Sequence, residues 1–151
     1  MKKLLVVFAA FTGIYSCSPR MQSYSGEVSF ISKEEQGTIL VKSTGYGKNR
    51  NDAILDAQKN AFQILLFKGL PGTELNVPLV ENENNARSKN PEYFKKLLDE
   101  CSYKAFMMSS TESSNLIKIR GAKKITMDLK VNYNSFRKDL EQNQVIRKFG
   151  Y

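Results

Sequence analysis

The sequence predicts an α+β fold, with an antiparallel sheet of about four to five strands and two to three helices packed mainly on one face. Residues Lys124 to Tyr133 alternate strictly between apolar and polar side chains, which indicates a strand with one buried and one solvated face. From Asp52 to Lys68 the apolar period becomes helical, with alanines at every fourth position: Ala53, Ala57 and Ala61. The segments follow the order ββ-α-α-ββ-α, in which strands come in pairs rather than alternating with helices.

The first pair of strands is predicted at Val28 to Ser32 and Thr38 to Thr44. Between them, the charged turn from Lys33 to Gly37 ends in a glycine that accepts a positive φ, which favours a hairpin. The second strand is rich in β-branched residues and begins with apolar residues on both faces. It is therefore expected to lie in the centre of the sheet.

The middle of the chain is predicted to contain two helices separated by a long loop. The alanine ridge allows the first helix to lie close to the sheet, and Gly69 followed by Pro71-Gly72 ends it. The loop runs from Gly69 to Asn90, a length that is uncommon in compact domains. Asn90-Pro91-Glu92 supplies the cap, proline and acid that begin a helix. That helix is predicted to present one apolar face, formed by Tyr93, Phe94, Leu97, Leu98 and Cys101.

The C-terminal part of the chain is predicted to be mainly strand. Its segments are a strand from Tyr103 to Ser109, a turn from Ser110 to Asn115, and a further strand that begins with Leu116 to Arg120, is interrupted near Gly121 and leads into the alternating segment. Asn134 is the predicted cap of a last helix that holds Phe136 and Leu140. The tail from Val145 to Tyr151 is too apolar to be free in solvent, so we expect it to dock on the domain.

The chain is predicted to divide into a signal peptide (residues 1–16), a lipidated tether (17–26) and a single α+β domain (27–151). Lys2 and Lys3 precede an apolar run from Leu4 to Phe11, which is too short to span a bilayer and is typical of a secretory signal peptide. Ile14-Tyr15-Ser16-Cys17 then resembles a bacterial lipobox, in which a signal peptidase cuts before a cysteine that becomes acylated. The alternative is that Cys17 is an incidental residue in a signal peptide that is cut elsewhere.

Acylation of Cys17 predicts a membrane anchor, because each buried methylene contributes roughly 0.8 kcal/mol and more than one acyl chain makes anchoring stable. Ser18, rather than Asp, follows the cysteine. This resembles the sorting pattern of Gram-negative lipoproteins in the outer membrane, and implies that the domain faces the periplasm. With Cys17 acylated, Cys101 has no disulfide partner in the chain. It is expected to be a small buried apolar residue, the alternative being a reactive thiol.

The composition argues against several functional classes. The chain has no histidine, which removes Ser-His-Asp and Cys-His catalysis, the usual zinc ligand sets and the commonest general base. Neither a metal nor a cofactor is predicted, and no enzymatic activity is expected; the remaining alternative is an enzyme that uses Lys or Ser. The paired acids lie among lysines in turns or at helix ends, as solvated charges do: Glu34/Glu35, Glu81/Glu83 and Asp99/Glu100.

The charge balance points to anionic partners in the cell envelope. The chain carries 23 basic and 15 acidic residues, a net charge of +8, and loss of Lys2 and Lys3 with the signal peptide reduces it to +6. An exported, membrane-tethered protein rarely meets nucleic acid. Its expected anionic partners are therefore lipid headgroups, lipopolysaccharide or peptidoglycan.

The segment from Ser43 to Ala53 is the candidate binding site, because glycines and basic residues precede a helix. It matches neither the dinucleotide fingerprint, whose third glycine is replaced by Arg50, nor the P-loop. Tyr46, Lys48 and Arg50 remain candidates for contact with an anion or a partner at the start of the helix. The alternative is a tight strand-to-helix connection, with glycines that permit a turn and Asn51 as the helix cap.

This segment also carries a family resemblance. The strand that ends in Thr44-Gly-Tyr-Gly47, followed by the alanine ridge and Asn60, resembles a segment shared by small outer-membrane lipoproteins. It is also similar to the N-terminal domain of flagellar assembly protein T and, more remotely, to that of the Tol translocation protein B. The clear match covers about a fifth of the chain, and the loop from Gly69 to Asn90 departs from the compact members of these families.

The resemblance implies a non-catalytic envelope module that helps to assemble or support a larger machine, and it carries over no catalytic residues. We therefore predict a lipid-anchored interaction module with a protein partner in the periplasm. The alternative is a binder of an anionic envelope glycan or lipid, either peptidoglycan or lipopolysaccharide, through the basic strand-to-helix loop.

Overall fold

The computed structural model describes residues 27–148, and the predicted signal peptide, the tether with Cys17 and residues 149–151 lie outside them. The fold is α+β, as predicted. In chain order, the elements are β1 (Val28–Lys33), β2 (Thr38–Gly47), α1 (Arg50–Phe67), α2 (Glu83–Lys89), α3 (Pro91–Phe94), β3 (Met107–Glu112), β4 (Ile117–Ile119), β5 (Ala122–Asn132) and α4 (Tyr133–Gln142). A π-helical turn, Lys95–Asp99, continues α3, and a 3₁₀ turn, Ser102–Phe106, leads into β3.

The sheet has five antiparallel strands, four of which follow the order β1-β2-β5-β3. Strands β3 and β4 share the edge of β5 that faces away from β2: β3 pairs with its second half and β4 with its first residues. The β1–β2 hairpin forms as predicted, and β2 lies between β1 and β5, which confirms its central position. Strand β2 pairs with β5 along its whole length, from Thr38 opposite Asn132 to Gly47 opposite Lys123. This long pairing is the central contact of the sheet.

The core lies between the sheet and the helices. The predicted alternation of β5 is confirmed, since its apolar residues are buried and their polar neighbours are partly exposed. Phe62 of α1 occupies the centre of the core, with its ring 4.9 Å from that of Tyr103 and 5.1 Å from that of Phe136. The rings of Phe67 and Phe94, 5.8 Å apart, join α1 to α3.

Gly45 and Gly47 permit a close approach between β2 and α1, and they do not form the predicted turn. Both lie within β2 and pair with β5. A Cβ atom on Gly45 would lie 2.2 Å from the backbone oxygen of Ala53, and one on Gly47 would lie 2.3 Å from the backbone nitrogen of the same residue. The alanine ridge therefore packs on a strand that has no side chains at these positions.

The long loop is shorter than predicted, because α2 forms within its second half. Asn82 caps this helix by accepting a hydrogen bond from the backbone nitrogen of Asn85 at 2.9 Å. Glu83 and Arg87 form an ion pair one turn apart at 2.8 Å. Only Ala86 is buried in α2, so the helix has no apolar stripe that the sequence could reveal.

Four predicted boundaries are wrong. Strand β3 begins at Met107 rather than at Tyr103, because Tyr103 is buried in the 3₁₀ turn, and it continues through the predicted turn to Glu112. Helix α1 is capped by Asn49 instead of Asn51, and α4 is capped by Asn132 instead of Asn134. Each true cap accepts a hydrogen bond from the backbone nitrogen three residues later, which defines where the helix starts. The predicted docking of the tail is confirmed for Val145 and Ile146, which pack against the core.

Candidate binding surface at the basic end of the sheet

The three predicted contact residues lie at the end of the sheet where β2 passes into α1. Tyr46 is half-buried, whereas Lys48 and Arg50 are exposed. Lys48 follows the last residue of β2, and Arg50 is the first residue of α1. The structure thus places all three within one short segment on the surface.

The β4–β5 hairpin places further basic residues beside this segment. Gly47 lies opposite Lys123 and Tyr46 opposite Lys124 across the β2–β5 pair. On the other edge of β5, Lys118 pairs with Lys123. Residues 113–124 contain four basic residues and no acidic one. We call this surface the basic end, and it consists of Lys48, Lys118, Arg120, Lys123 and Lys124.

Within residues 27–148, none of the five side chains of the basic end forms an ion pair with an acid. The amino group of Lys124 lies 5.9 Å from the centre of the Tyr46 ring, a distance at which a cation–π attraction operates. Ile117, which is 48% exposed, pairs with Lys124 on the opposite edge. The basic end therefore combines available positive charge with an aromatic and an aliphatic side chain.

Arg50 differs from the basic end because Glu112 of β3 neutralises its charge. The guanidinium donates to both carboxylate oxygens of Glu112, with a distance of 3.1 Å from Nε to Oε1. The start of α1 is also occupied, since Asn49 accepts from the backbone nitrogen of Asp52 at 2.9 Å and donates to its carboxylate at 2.9 Å. Of the predicted loop residues, Lys48 has the charge best placed to meet an anion.

Two side chains of α1 form hydrogen bonds with backbone groups of β2 that lie beyond the end of the β1–β2 pairing. The backbone nitrogen of Tyr46 donates to Oδ2 of Asp56 at 2.8 Å, and Asn60 donates to the carbonyl oxygen of Thr44 at 3.2 Å. Burial raises the pKa of Asp56, against the lowering effect of the hydrogen bonds from Tyr46 and Asn60 and of the charge of Lys59. Asp56 and Asn60 thus hold Tyr46 in place beside the basic end.

A second surface feature is a groove of about 640 Å³ between the loop that precedes α2, the start of α4 and the residues that follow α4. Its lining mixes both signs of charge, with Glu74, Glu81, Lys89 and Arg147, among apolar and amide side chains. Arg137 also lines it and is paired with Glu141 at 3.2 Å. No single ligand chemistry is indicated by such a mixture.

Cys101 is half-buried, packs against the core and adopts a left-handed backbone conformation with φ of 60°. Burial raises the pKa of Tyr103, and a hydrogen bond with Cys101 raises it further. Among residues 27–148 there is no cluster of three or more His, Cys, Asp or Glu side chains that could hold a metal ion. In the same range, no helix has both the length and the apolar character needed to cross a bilayer.

Comparisons of the chain with protein families, with characterised proteins and with solved structures found no match. The resemblance to outer-membrane lipoproteins and to flagellar assembly protein T therefore stays a prediction from the sequence. The basic residues of the β4–β5 hairpin could not be assigned to the candidate site from the sequence, because only the strand register brings them to Lys48.

Proposed function

We propose that the protein is a lipid-anchored, non-catalytic envelope module that faces the periplasm from the outer membrane and works by contact with other envelope components. The observation that carries this proposal is the basic end, where five cationic side chains without acidic partners among residues 27–148 lie near Tyr46 and Ile117. Polar and charged rims around aromatic and aliphatic groups are typical of protein contact surfaces. The lipobox-like segment at Cys17 supplies the anchor in this proposal.

Binding suits the geometry of this surface better than catalysis does. The cationic groups of the basic end lie along two strand ends, where they can meet an extended anionic surface. Lysine and arginine side chains attract such a surface from solution, and each one near an anionic membrane contributes about 1 kcal/mol to binding. A general acid or base, by contrast, needs a perturbed group that converges with others on one reacting atom.

The test is recovery of the tagged protein from crosslinked envelopes. The variant K123E/K124E reverses two charges at the basic end. The matched control, K95E/K96E, reverses two exposed lysines that are also consecutive in sequence but lie on the π-helical turn. We expect a specific partner to be recovered with the wild type and the control, and lost with K123E/K124E. Recovery of no specific partner with the wild type, or equal losses with both variants, would contradict the proposal.

A second candidate function is direct binding of an anionic envelope glycan or lipid at the strand-to-helix loop. The observation that favours it is the position of Lys48 beside Lys123, at the end of the β2–β5 pair. Co-sedimentation with peptidoglycan or lipopolysaccharide tests it. We expect Lys48→Ala to weaken binding more than Arg50→Ala, because Glu112 already neutralises Arg50. Binding that is unchanged in the Lys48→Ala/Arg50→Ala double variant would exclude this candidate.

The anchor itself has an independent test. Cells that express the wild-type chain should incorporate labelled fatty acid into the protein, and Cys17→Ala should abolish the incorporation. Incorporation that persists in Cys17→Ala would show that the lipid is attached elsewhere.

A further inference from the structure

The domain begins at the same end of the sheet as the basic end. The backbone nitrogen of Thr44 donates to the carbonyl oxygen of Glu27 at 2.9 Å, and Val28 lies opposite Ser43 at the start of β1. Strand β2 then runs four residues further, to Gly47 beside Lys123. At a strand rise of about 3.3 Å per residue, this places the start of the domain about 13 Å from the basic end.

The chain that precedes the domain is short. Residues 17–26 span at most about 35 Å even when fully extended. A lipid on Cys17 therefore keeps the start of β1 within about 35 Å of the membrane, and the basic end within about 48 Å. The turn with Glu34 and Glu35 lies at the other end of β1, farther from the point where the tether joins the domain.

We propose that the basic end lies against the anionic lipid headgroups of the membrane that carries the anchor. This inference rests on the proposed acylation of Cys17. Phosphate groups of the lipids meet Lys48, Lys118, Arg120, Lys123 and Lys124, and Tyr46 and Ile117 lie at headgroup level. Acidic residues near this end include Glu27, Asp52, Asp56 and Glu112. Asp52 is bonded to Asn49, Asp56 to Tyr46 and Asn60, and Glu112 to Arg50.

Such docking supplies the second of the two signals that stable membrane attachment uses, a basic patch beside a lipid anchor. Lysine side chains suit this role because their aliphatic stems follow the protein surface while their amino groups reach the phosphates. A glycan network away from the membrane would, with this geometry, meet the opposite end of the sheet. The position of the anchor thus favours the lipid surface over peptidoglycan as the partner of the basic end.

Single tryptophan reporters can test this orientation, because the chain contains no tryptophan. Ile117→Trp places a reporter opposite Lys124, and Met108→Trp places a matched control beside Thr38 and the β5 residue Val131. Both native side chains are exposed, at 48% and 59%, so both variants should fold. The two sites differ by seven residues along β5, about 23 Å at the usual strand rise.

The acylated mature chain, which begins at Cys17, is reconstituted into vesicles of phosphatidylcholine, with or without phosphatidylglycerol. The vesicles contain a lipid with a fluorescence quencher on its headgroup. We expect several-fold stronger quenching at residue 117 than at residue 108 in the anionic vesicles. This difference should shrink in neutral vesicles and at high salt, where charges are screened. It should also shrink in K123E/K124E and persist in K95E/K96E.

Equal quenching at the two sites, stronger quenching at residue 108, or insensitivity to anionic lipid would overturn the inference. A change in the emission of the Ile117→Trp variant on addition of peptidoglycan, without quenching by the lipids, would also overturn it and assign the surface to the glycan. Fatty-acid incorporation is measured on the same samples. An acylated protein without the quenching difference disproves only the orientation, whereas a protein without acylation disproves the anchor and the inference together.

Discussion

Asp56 acts as the substitute for a missing strand neighbour at the end of β2. Its carboxylate accepts the hydrogen bond from Tyr46 that a neighbouring strand would otherwise accept, and Asn60 supplies the complementary donor to Thr44. These side chains cover a part of the sheet edge that would otherwise offer unpaired backbone groups to another chain. They also position the residue that contacts Lys124.

Substitutions at Asp56 should separate its hydrogen bond from its charge. Asp56→Asn keeps an acceptor for Tyr46 and should leave stability at neutral pH unchanged or increased, because no charge is then buried. Asp56→Ala leaves the Tyr46 nitrogen without its partner and should cost about 1–3 kcal/mol. Urea unfolding at neutral pH measures both effects. A loss in Asp56→Asn as large as that in Asp56→Ala would contradict this account.

Asp56 should also make stability depend on pH. Its pKa in the folded protein is raised above the ordinary value of 3.8, so the folded state binds more protons between these two pKa values. The contribution of Asp56 to stability is therefore largest below pH 3.8 and falls as the pH rises through the folded-state pKa. Unfolding measured as a function of pH should show this component in the wild type and lack it in Asp56→Asn. Identical pH profiles would contradict it.

Gly45 is the residue on which the contact between α1 and β2 depends most directly. A methyl group there would collide with the backbone of Ala53 and Ala57, which cannot move aside as a flexible side chain does. Gly45→Ala should therefore destabilise the fold by about 1–3 kcal/mol or more. Thermal unfolding measures the loss, with Gly72→Ala as a control, since a Cβ atom there meets nothing within 4 Å although φ is +77°. A larger loss at Gly72 than at Gly45 would contradict this account.

At the scale of the elements, the sequence predicts those helices, strands and turns that depend on the spacing of residues within one segment. The alternation of β5, the alanine ridge of α1 and the β1–β2 turn each follow from spacing within one segment, and all three form. The glycine–alanine contact could not be predicted in the same way, because it depends on how α1 sits on β2. Strand β3 begins late because Tyr103 packs on Phe62 from a 3₁₀ turn, a tertiary preference that overrides the β tendency of its sequence.

The basic end is also a property of paired elements rather than of a segment. Lys48 and Lys123 are far apart in sequence, and the β2–β5 register places them at the same strand end. Lys118 joins them through the β4–β5 hairpin, whose turn at Arg120 and Gly121 adopts positive φ at both residues. The proximity of these charges therefore cannot be predicted before the strand pairing is known.

The contact between α3 and α4 offers a test of packing at this scale. The hydroxyl of Tyr93 donates to Oδ2 of Asp139 at 2.7 Å, and burial together with this carboxylate raises the pKa of Tyr93. Tyr93→Phe removes the bond and keeps the ring, and should cost about 1.5–3 kcal/mol, as for a hydrogen bond to a charged group. Urea unfolding measures it, with Asp139→Ala, which removes the acceptor, as the partner variant in a double-mutant cycle. Additive losses in the cycle would show that the two side chains are not coupled.

At the scale of the whole molecule, the domain has two unlike ends. Two ion pairs lie at the end with the turn at Glu34 and Glu35, Lys130 with Glu34 and Lys33 with Glu74. The basic end has cations without acidic partners within residues 27–148, and the domain starts beside it. This polarity connects the predicted anchor at Cys17, the sheet topology and the proposed contact surface.

Site-specific photo-crosslinking in intact envelopes tests the central proposal, contact through the basic end, most directly. A photoreactive residue replaces Ile117 at the basic end or, as a control, Val77, which is 67% exposed in the loop beside the separate groove. The proposal predicts a discrete adduct with an envelope component from residue 117, lost in K123E/K124E and retained in K95E/K96E, and no matching adduct from residue 77. The same adduct from both positions, or one from residue 77 alone, would contradict it.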